Sequence, residues 1–135
     1  MIWTLRVECV EGWYLQGECV RVIEIEPETN LYELRSAILS AVDFDSDHGY
    51  EFRAGRSPRN RKVVLDDTAN DISLDQVYPL PKSCKLYFHY DFGDDWYFEI
   101  RKSGQKPHEP DPGVRYPRVV EVIGPNPRQY GEFEE

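Results

Sequence analysis

Three carboxylates, Asp91, Asp94 and Asp95, crowd one short turn of this 135-residue chain. Aromatic, strand-like segments at 86–90 and 96–100 flank the turn, so it forms the tip of a predicted hairpin. Clustered carboxylate oxygens suit Mg²⁺ or Ca²⁺, although the spacing is not that of an EF-hand loop. The alternative is turn chemistry alone, in which the Asp side chains satisfy backbone groups and the glycine between them supplies a positive φ. Both interpretations remain open at the level of sequence.

His48 is the second residue of chemical interest, because histidine is a common metal ligand and titrates near neutral pH. It follows a predicted helix, so we expect it to approach the acidic turn and complete a mixed oxygen and nitrogen site. The alternative is an ordinary capping or hydrogen-bonding residue at the boundary of an element. No firm ligand is assigned, and the candidates for a metal are His48, Asp91, Asp94 and Asp95.

Aromatic and arginine side chains complete the candidate binding surface, because both types are enriched where protein surfaces meet. Trp96 is either a core residue or part of that surface. Tyr116 and Arg118 either pack back across the sheet or contact a partner. The predicted binding residues are His48, Asp91, Asp94, Asp95, Trp96, Tyr116 and Arg118.

A basic island lies between residues 53 and 62. Its cations alternate with Ser, Pro and Asn, which is typical of a loop. Phosphate contact is the functional interpretation, and a solvated loop that balances an acidic surface is the alternative. Stacking aromatics are not interleaved with these cations. The predicted phosphate contacts are Arg53, Arg56, Arg59, Arg61 and Lys62.

Sequence signatures of catalysis are missing from the chain. It has no phosphate-cradling glycine loop, no GxSxG and no HExxH. A nucleophile with its base and orienting group has no convincing members, so we assign no catalytic residue. Binding is therefore favoured over catalysis, and a divalent-metal-dependent enzyme at the acidic turn is kept as the alternative.

Net charge and cysteine content indicate the cellular environment of the chain and the partners that it does not suit. The net charge of −9 argues against general adhesion to nucleic acid or anionic membrane, although a local basic patch is compatible with it. No apolar run approaches the ~20 residues of a membrane span, and the N-terminus lacks the pattern of a secretory signal. The three cysteines, Cys9, Cys19 and Cys84, show no CxxC spacing. We therefore expect free thiols and a cytoplasmic protein without membrane contact.

The order of elements predicts the fold that must position these residues. Strand-like alternation at 2–10 and 19–25 predicts a first hairpin, and the capping box of Asn30 and Glu33 opens a helix that should end near Asp43. Strands around 50–52 and 62–65, a helical turn from Ser73 and the hairpin at 84–101 follow. This order is typical of an α+β domain with a β-grasp-like mixed sheet packed on one main helix.

Prolines dominate the end of the chain, where one predicted strand, 118–123, interrupts an otherwise extended tail. We expect residues 1–106 to form the β-grasp-like domain and residues 107–135 to wrap the same domain, which gives a single domain overall.

Four groups of residues carry a resemblance to a known family. They are Tyr90-Asp91-Phe92-Gly93-Asp94-Asp95-Trp96, Asp47-His48 with Tyr50-Glu51-Phe52, Tyr116-Pro117-Arg118, and Gly124-Pro125 with Gln129-Tyr130-Gly131. With them the chain resembles the Ri-plasmid open-reading-frame-three-like family, also labelled passenger TnpR proteins of insertion elements. The resemblance implies a β-grasp kind of domain, often carried by mobile elements, without an established reaction. Many relatives carry cysteines after the Tyr-Pro-Arg motif, whereas Val119-Val120-Glu121 follows here, so a metal or redox role based on those cysteines is not implied.

Together these observations predict a small cytoplasmic interaction module that binds a protein partner through the hairpin tip and the nearby tail. The divalent-metal-dependent enzyme, with Mg²⁺ or Ca²⁺ at the acidic turn, is one alternative. A nucleic-acid accessory protein that uses the basic loop 53–62 is the other.

Overall fold

The computed structural model describes residues 1–60 and 62–131, which form a seven-stranded sheet with few helices. The strands are β1 (Trp3–Glu11), β2 (Val20–Ile25), β3 (Tyr50–Gly55), β4 (Val63–Leu65), β5 (Lys85–Tyr90), β6 (Trp96–Lys102) and β7 (Arg118–Ile123). The helices are α1 (Leu31–Ala41), α2 (Leu74–Val77) and a 3₁₀ turn at Asp67–Ala69. The architecture is α+β, and the elements follow the predicted order.

The sheet has the strand order β4-β3-β5-β6-β1-β2-β7. The prediction of a mixed sheet is wrong, because each pairing among these strands is antiparallel. Three of the pairs, β1–β2, β3–β4 and β5–β6, join strands that are neighbours in the chain. Short connections favour this arrangement, since parallel pairing requires a crossover of a dozen or more residues.

Helix α1 begins as the sequence predicts. The side chain of Asn30 accepts the N–H of Glu33 at 2.8 Å, and the Glu33 carboxylate accepts the N–H of Asn30 at 3.3 Å. The two bonds satisfy backbone donors that the first turn leaves free. The helix ends at Ala41 with Val42 as its C-cap, close to the predicted end.

The hydrophobic core lies between α1 and one face of the sheet. Leu34 and Ile38 of α1 belong to the same buried cluster as Phe88 of β5 and Phe98 of β6. Alternation along a strand sends successive side chains to opposite faces, so β5 and β6 give every second residue to this core. The residues between them point to the second face of the sheet, which is polar and yet buried.

The C-terminal segment adds the last strand to one edge of the sheet. β7 pairs with β2, and a register shift lies at Val22 and Ile23. Before β7, a backbone bridge joins Ile2 to His108. After it, the side chain of Gln129 is buried and bonds to the backbone of Asp45. Across residues 1–60 and 62–131, no helix has both the length and the apolar character needed to cross a membrane.

Candidate functional site

The turn between β5 and β6 is held by the carboxylate and backbone of Asp91. Its Oδ1 accepts the N–H groups of Gly93 and Asp94 at 3.0 and 3.2 Å, and its carbonyl accepts the N–H of Asp95 at 2.7 Å. Positive φ values occur at Asp91 (64°) and Asp95 (53°), whereas the sequence predicted one at Gly93. Aspartate tolerates this region because its short side chain bonds to nearby backbone groups. We call residues 91–95 the tip.

His48 lies beside the tip. Its Nε2 is 3.6 Å from Oδ2 of Asp91, 3.4 Å from Oδ1 of Asp47 and 3.1 Å from the hydroxyl of Tyr130. Its backbone N–H donates to the hydroxyl of Tyr90 at 3.2 Å. The structure therefore brings His48 and Asp91 together, and it adds Tyr130 from the C-terminal segment to the same neighbourhood.

The other two acids of the tip do not join this group. Asp95 turns to the second face of the sheet, where its Oδ1 lies 2.8 Å from Nε2 of His89. Asp94 is half-buried, and burial together with the neighbouring Asp91 raises the pKa of its carboxyl. Within the described part of the chain, no three His, Cys, Asp or Glu side chains are grouped so that they could hold a metal ion. The four predicted ligands do not converge on one point, because Asp95, at the far end of the turn from Asp91, turns to the second face of the sheet.

Trp96 is a core residue, so its assignment to the binding surface is corrected. Its side chain is fully buried and packs edge-on against Phe44, with ring centroids 5.0 Å apart. Gly12 lies directly over the indole, where any side chain would collide with it. The alternation of β6 accounts for this placement, because Trp96, Phe98 and Ile100 share the face that meets the core.

Two other aromatic side chains are exposed at the tip, and sequence analysis did not select them. Trp13 is 77% exposed, and its backbone N–H donates to the carbonyl of Asp94 at 2.9 Å. Phe92 is 54% exposed and stands edge-on to the His89 ring at 4.9 Å. The available signal was a bulky aromatic residue in each of two turns, at positions where polar residues are usual.

Behind the tip, the second face of the sheet carries a buried polar network. Arg53 donates to Oε2 of Glu51 at 2.5 Å and to the hydroxyl of Tyr97 at 3.2 Å, and its Nη2 lies 2.9 Å from Nδ1 of His89. His89 stacks on the Tyr97 ring, with centroids 4.1 Å apart. Strand alternation places His89 on the face opposite the core, yet the residue is only 4% exposed. The loop after β3 covers this face and accounts for the low exposure, since Arg53 also donates to the carbonyl of Pro58 in that loop.

The network fixes the protonation state of His89. The Arg53 guanidinium can only donate, so Nδ1 of His89 must accept and Nε2 must carry the proton given to Asp95. Burial lowers the pKa of His89, and the nearby Arg53 charge lowers it further, while Asp95 opposes both. The neutral ring is therefore the form that fits.

The basic island divides in the structure. The prediction that Arg53 contacts phosphate is wrong, because its guanidinium is buried in the polar network behind the tip. Arg59 bonds to Glu11 and lies over the Tyr97 ring. Arg56 and Lys62 are exposed. The predicted contact Arg61 lies outside the described residues.

Tyr116 and Arg118 lie away from the tip and tie the C-terminal segment to β2. Arg118 donates to Oε1 of Glu24 at 2.8 Å, and its guanidinium lies 5.7 Å from the centroid of the Tyr116 ring. The hydrogen bond from Arg118 lowers the pKa of Glu24, and His108 contributes through a second contact at 3.3 Å. Both residues are thus engaged in contacts within the chain, as one of the two predictions for them expected.

Comparison with known proteins identifies the family. The family model described as plasmid pRiA4b ORF-3-like protein matches residues 6–129. The chain belongs to this family. The resemblance stated from the sequence is thereby confirmed. None of the curated proteins searched matches the chain.

A solved structure shares the fold of this ORF-3-like chain. It is MM3350 from Methanosarcina mazei Go1, a protein of unknown function, with a TM-score of 0.69 and 20% sequence identity. The match covers 90% of this chain and 68% of the other. At this identity the likeness concerns the fold alone.

Three of the four sequence groups that carry the ORF-3-like resemblance meet at the tip. The first group contains the tip, His48 lies against Asp91, and Tyr130 lies against His48. The fourth group, 116–118, lies at β2 instead. The tip is thus where segments far apart in the chain come together, and it presents carboxylates, one imidazole and exposed aromatic rings.

Proposed function

We propose that this ORF-3-like chain is a small cytoplasmic interaction module that binds a protein partner through the tip. The observation that carries the proposal is the exposure of Trp13 and Phe92, each more than half accessible, in two turns that are joined by the hydrogen bond from the Trp13 N–H to the carbonyl of Asp94. Large aromatic side chains are costly to leave in water and are enriched among the residues that dominate binding energy. Contiguous exposed apolar surface marks interaction sites in soluble proteins.

Charge around the rings indicates the chemistry of the partner. The Asp47 side chain is 71% exposed and that of Asp95 is 44% exposed, and the chain as a whole carries a net charge of −9. Complementary potentials speed association and suppress wrong partners. The partner therefore presents apolar side chains surrounded by Lys or Arg.

The tip is also well ordered by its own contacts, which supports a binding role. Asp91 caps the turn, Trp13 is tied to it through the carbonyl of Asp94, and Tyr130 is tied to it through His48. A surface that is already arranged loses less conformational entropy when it binds.

Paired substitutions test the proposal. Trp13→Ala and Phe92→Ala remove exposed rings at the tip, and Tyr32→Ala removes a comparable ring, 49% exposed, from α1. We expect affinity purification from the source cells to recover at least one protein with the wild type and Tyr32→Ala but not with the tip variants. Titration calorimetry with that purified protein should then show at least a tenfold loss for the double tip variant, as for other aromatic anchors worth about 2 kcal/mol. Equal recovery by all four forms would contradict the proposal.

The metal-dependent enzyme receives no support from the geometry, because Asp95 points away from His48 and Asp91 and the four candidate ligands do not converge on one point. Thermal unfolding with Mg²⁺, Mn²⁺ and Ca²⁺ tests it directly, since an ion that binds only the folded state raises the melting temperature. A rise that Asp91→Asn abolishes would revive that alternative and would count against a purely protein-binding tip.

We also propose a β-grasp-like fold for this chain. A sheet that packs one face on a single main helix supports a β-grasp-like assignment, in a version with antiparallel pairing throughout its named strands. A TnpR-like, mobile-element setting and a single domain that includes the proline-rich segment are proposed with it. Limited proteolysis tests the last point, because a segment docked through Arg118 and Gln129 should resist cleavage until the whole chain unfolds.

A further inference from the structure

A second candidate site lies away from the tip, in a groove between the segment after α2 and the ends of β1 and β6. The groove has a volume of about 690 Å³, which is within the ordinary range for ligand pockets. Its apolar wall includes Trp3 and Leu80. Tyr78 packs edge-on against Trp3, with ring centroids 6.0 Å apart.

Cations surround this apolar wall. Lys82, Lys85, Arg101 and Lys102 line the groove, and no acidic residue is among the described residues that line it. Glu99, close by, bonds to Arg101 at 2.8 Å and to Lys85 at 3.3 Å. Burial raises the pKa of Glu99, but these two hydrogen bonds outweigh it and keep the carboxylate charged. Two of the four cations are therefore paired with one carboxylate, and the local charge at the groove is positive although the chain as a whole is negative.

The basic surface continues into an adjoining hollow of about 480 Å³. The two hollows share Lys82 and Cys84, and the second adds Arg56 and Lys62. Neither Arg56 nor Lys62 forms an ion pair with any residue that the structure describes. Six cations thus line the depression formed by the two adjoining hollows, and two of them, Lys85 and Arg101, share the carboxylate of Glu99.

We propose that this depression, which we call the basic groove, binds single-stranded nucleic acid. A ligand with one carboxylate would leave most of the six cations uncompensated, whereas a phosphodiester chain supplies a negative charge at each nucleotide. Grooves that bind single strands combine such cations with rings and apolar surface that contact the bases. In the basic groove, Lys102 lies over the Trp3 ring at 4.6 Å, so Tyr78 and Leu80 supply the remaining surface for a base.

A duplex does not meet these requirements. Its bases are paired and stacked, so their faces are not available to the apolar wall. Its backbones lie on a convex surface, whereas the cations here line a depression. The basic groove also lies apart from the tip, since its lining shares no residue with the turn 91–95, His48 or Tyr130. It is therefore a site additional to the proposed protein-binding surface.

The test uses the whole chain and a fluorescein-labelled oligothymidine of about ten nucleotides, a length within the ~4–16 nucleotides that such grooves occupy. Fluorescence anisotropy measures the dissociation constant over a series of salt concentrations. Lys82→Gln removes the cation shared by the two hollows, and Lys106→Gln removes an exposed cation outside them as the matched control. Melting temperatures equal to that of the wild type would show that both variants are folded.

The expected salt dependence is specific. Four to six phosphate contacts give a slope of log K against log salt between about −3 and −4, and each lost contact reduces its magnitude by about 0.7. We expect Lys82→Gln to weaken binding several-fold and to reduce the slope accordingly, while Lys106→Gln changes neither. A tighter complex with the single strand than with the corresponding duplex supports the proposal. No binding at low salt, equal loss in the two variants, or equal affinity for the duplex would overturn it. Competition by thymidine monophosphate as strong as by the oligonucleotide would also overturn it, because a single nucleotide would then suffice.

Discussion

The carboxylate of Asp95 accepts a hydrogen bond of 2.8 Å from Nε2 of His89, which connects the tip to the polar face of the sheet. The bond passes from an exposed turn to a ring that is almost completely buried. Arg53 holds the other nitrogen of the same ring. A titrating group is thereby placed between a cation and an anion directly behind the surface proposed to bind a partner.

His89 should make folding sensitive to acid. Its pKa in the folded chain lies below the ordinary value of about 6.5. At pH values below about 6.5 the unfolded chain therefore binds the proton more readily, so the free energy of unfolding falls as the pH is lowered through this range. His89→Gln keeps a donor and an acceptor without the titration, and its stability should change less between pH 7 and pH 5 in urea unfolding. A variant with the same pH profile as the wild type would show that His89 is not the source.

His108 provides a control of opposite sign for that measurement. A hydrogen bond to the carbonyl of Glu109 and another to Glu24 raise the pKa of His108. Its contribution is thus present at low pH and is lost as the pH rises through the raised value. His108→Gln should therefore steepen the loss of stability on acidification, whereas His89→Gln should reduce it.

Trp96→Ala should destabilise the chain by roughly 3–5 kcal/mol, the usual cost of truncating a large buried aromatic residue. The indole is fully buried against Phe44. Trp13→Ala is the comparison, since the exposed ring of Trp13 should change stability by less than about 0.5 kcal/mol. Urea unfolding of the two variants checks both values. Similar stabilities would mean that the two tryptophans have been assigned to the wrong environments.

Gly12→Ala should be strongly destabilising because of its contact with Trp96. A methyl group at Gly12 would lie 2.1 Å from a carbon of the indole ring, so the ring or the β1–β2 connection must move. Overpacking of this kind costs about 1–3 kcal/mol. Gly104→Ala is the matched control, since nothing lies within 4 Å of the added methyl group there. A difference in melting temperature between the two variants is expected, and equal values would contradict the close packing at Gly12.

Asn30→Ala should remove the cap of α1. The side chain of Asn30 accepts a hydrogen bond from the N–H of Glu33, and loss of such a bond costs about 1 kcal/mol. Asn30→Ser, which retains an acceptor, should recover most of the loss in a urea titration. If Ser and Ala were equally destabilising, the hydrogen bond would not be the stabilising element.

Local patterns predicted the elements of this chain well, because their causes are local. The capping box at Asn30 and the alternation that puts Phe88 and Phe98 on one face need only neighbouring residues. The direction of strand pairing depends on contacts between distant segments, and there the prediction of a mixed sheet failed.

The site was harder to predict than the fold because burial of polar groups is a tertiary property. Arg53 and His89 have the composition of an exposed face, but the loop around Pro58 and the ring of Tyr97 cover them. In the same way, Trp96 and Trp13 are chemically identical, and only the packed structure separates a core residue from an exposed one. Proximity of His48 to the acidic turn was predictable because both flank strands that pair with each other, β3 and β5.

The three thiols of the chain differ in accessibility, so the basic groove contains a residue that can be labelled selectively. Cys9 and Cys19 are buried, and burial raises the pKa of both thiols, whereas Cys84 is partly exposed where the two hollows join. Thiolates are the reactive form, so a maleimide dye should attach to Cys84 first. The native sequence thus allows a single fluorophore to be placed beside Lys82 without engineering, at the position where an incoming strand would alter its emission.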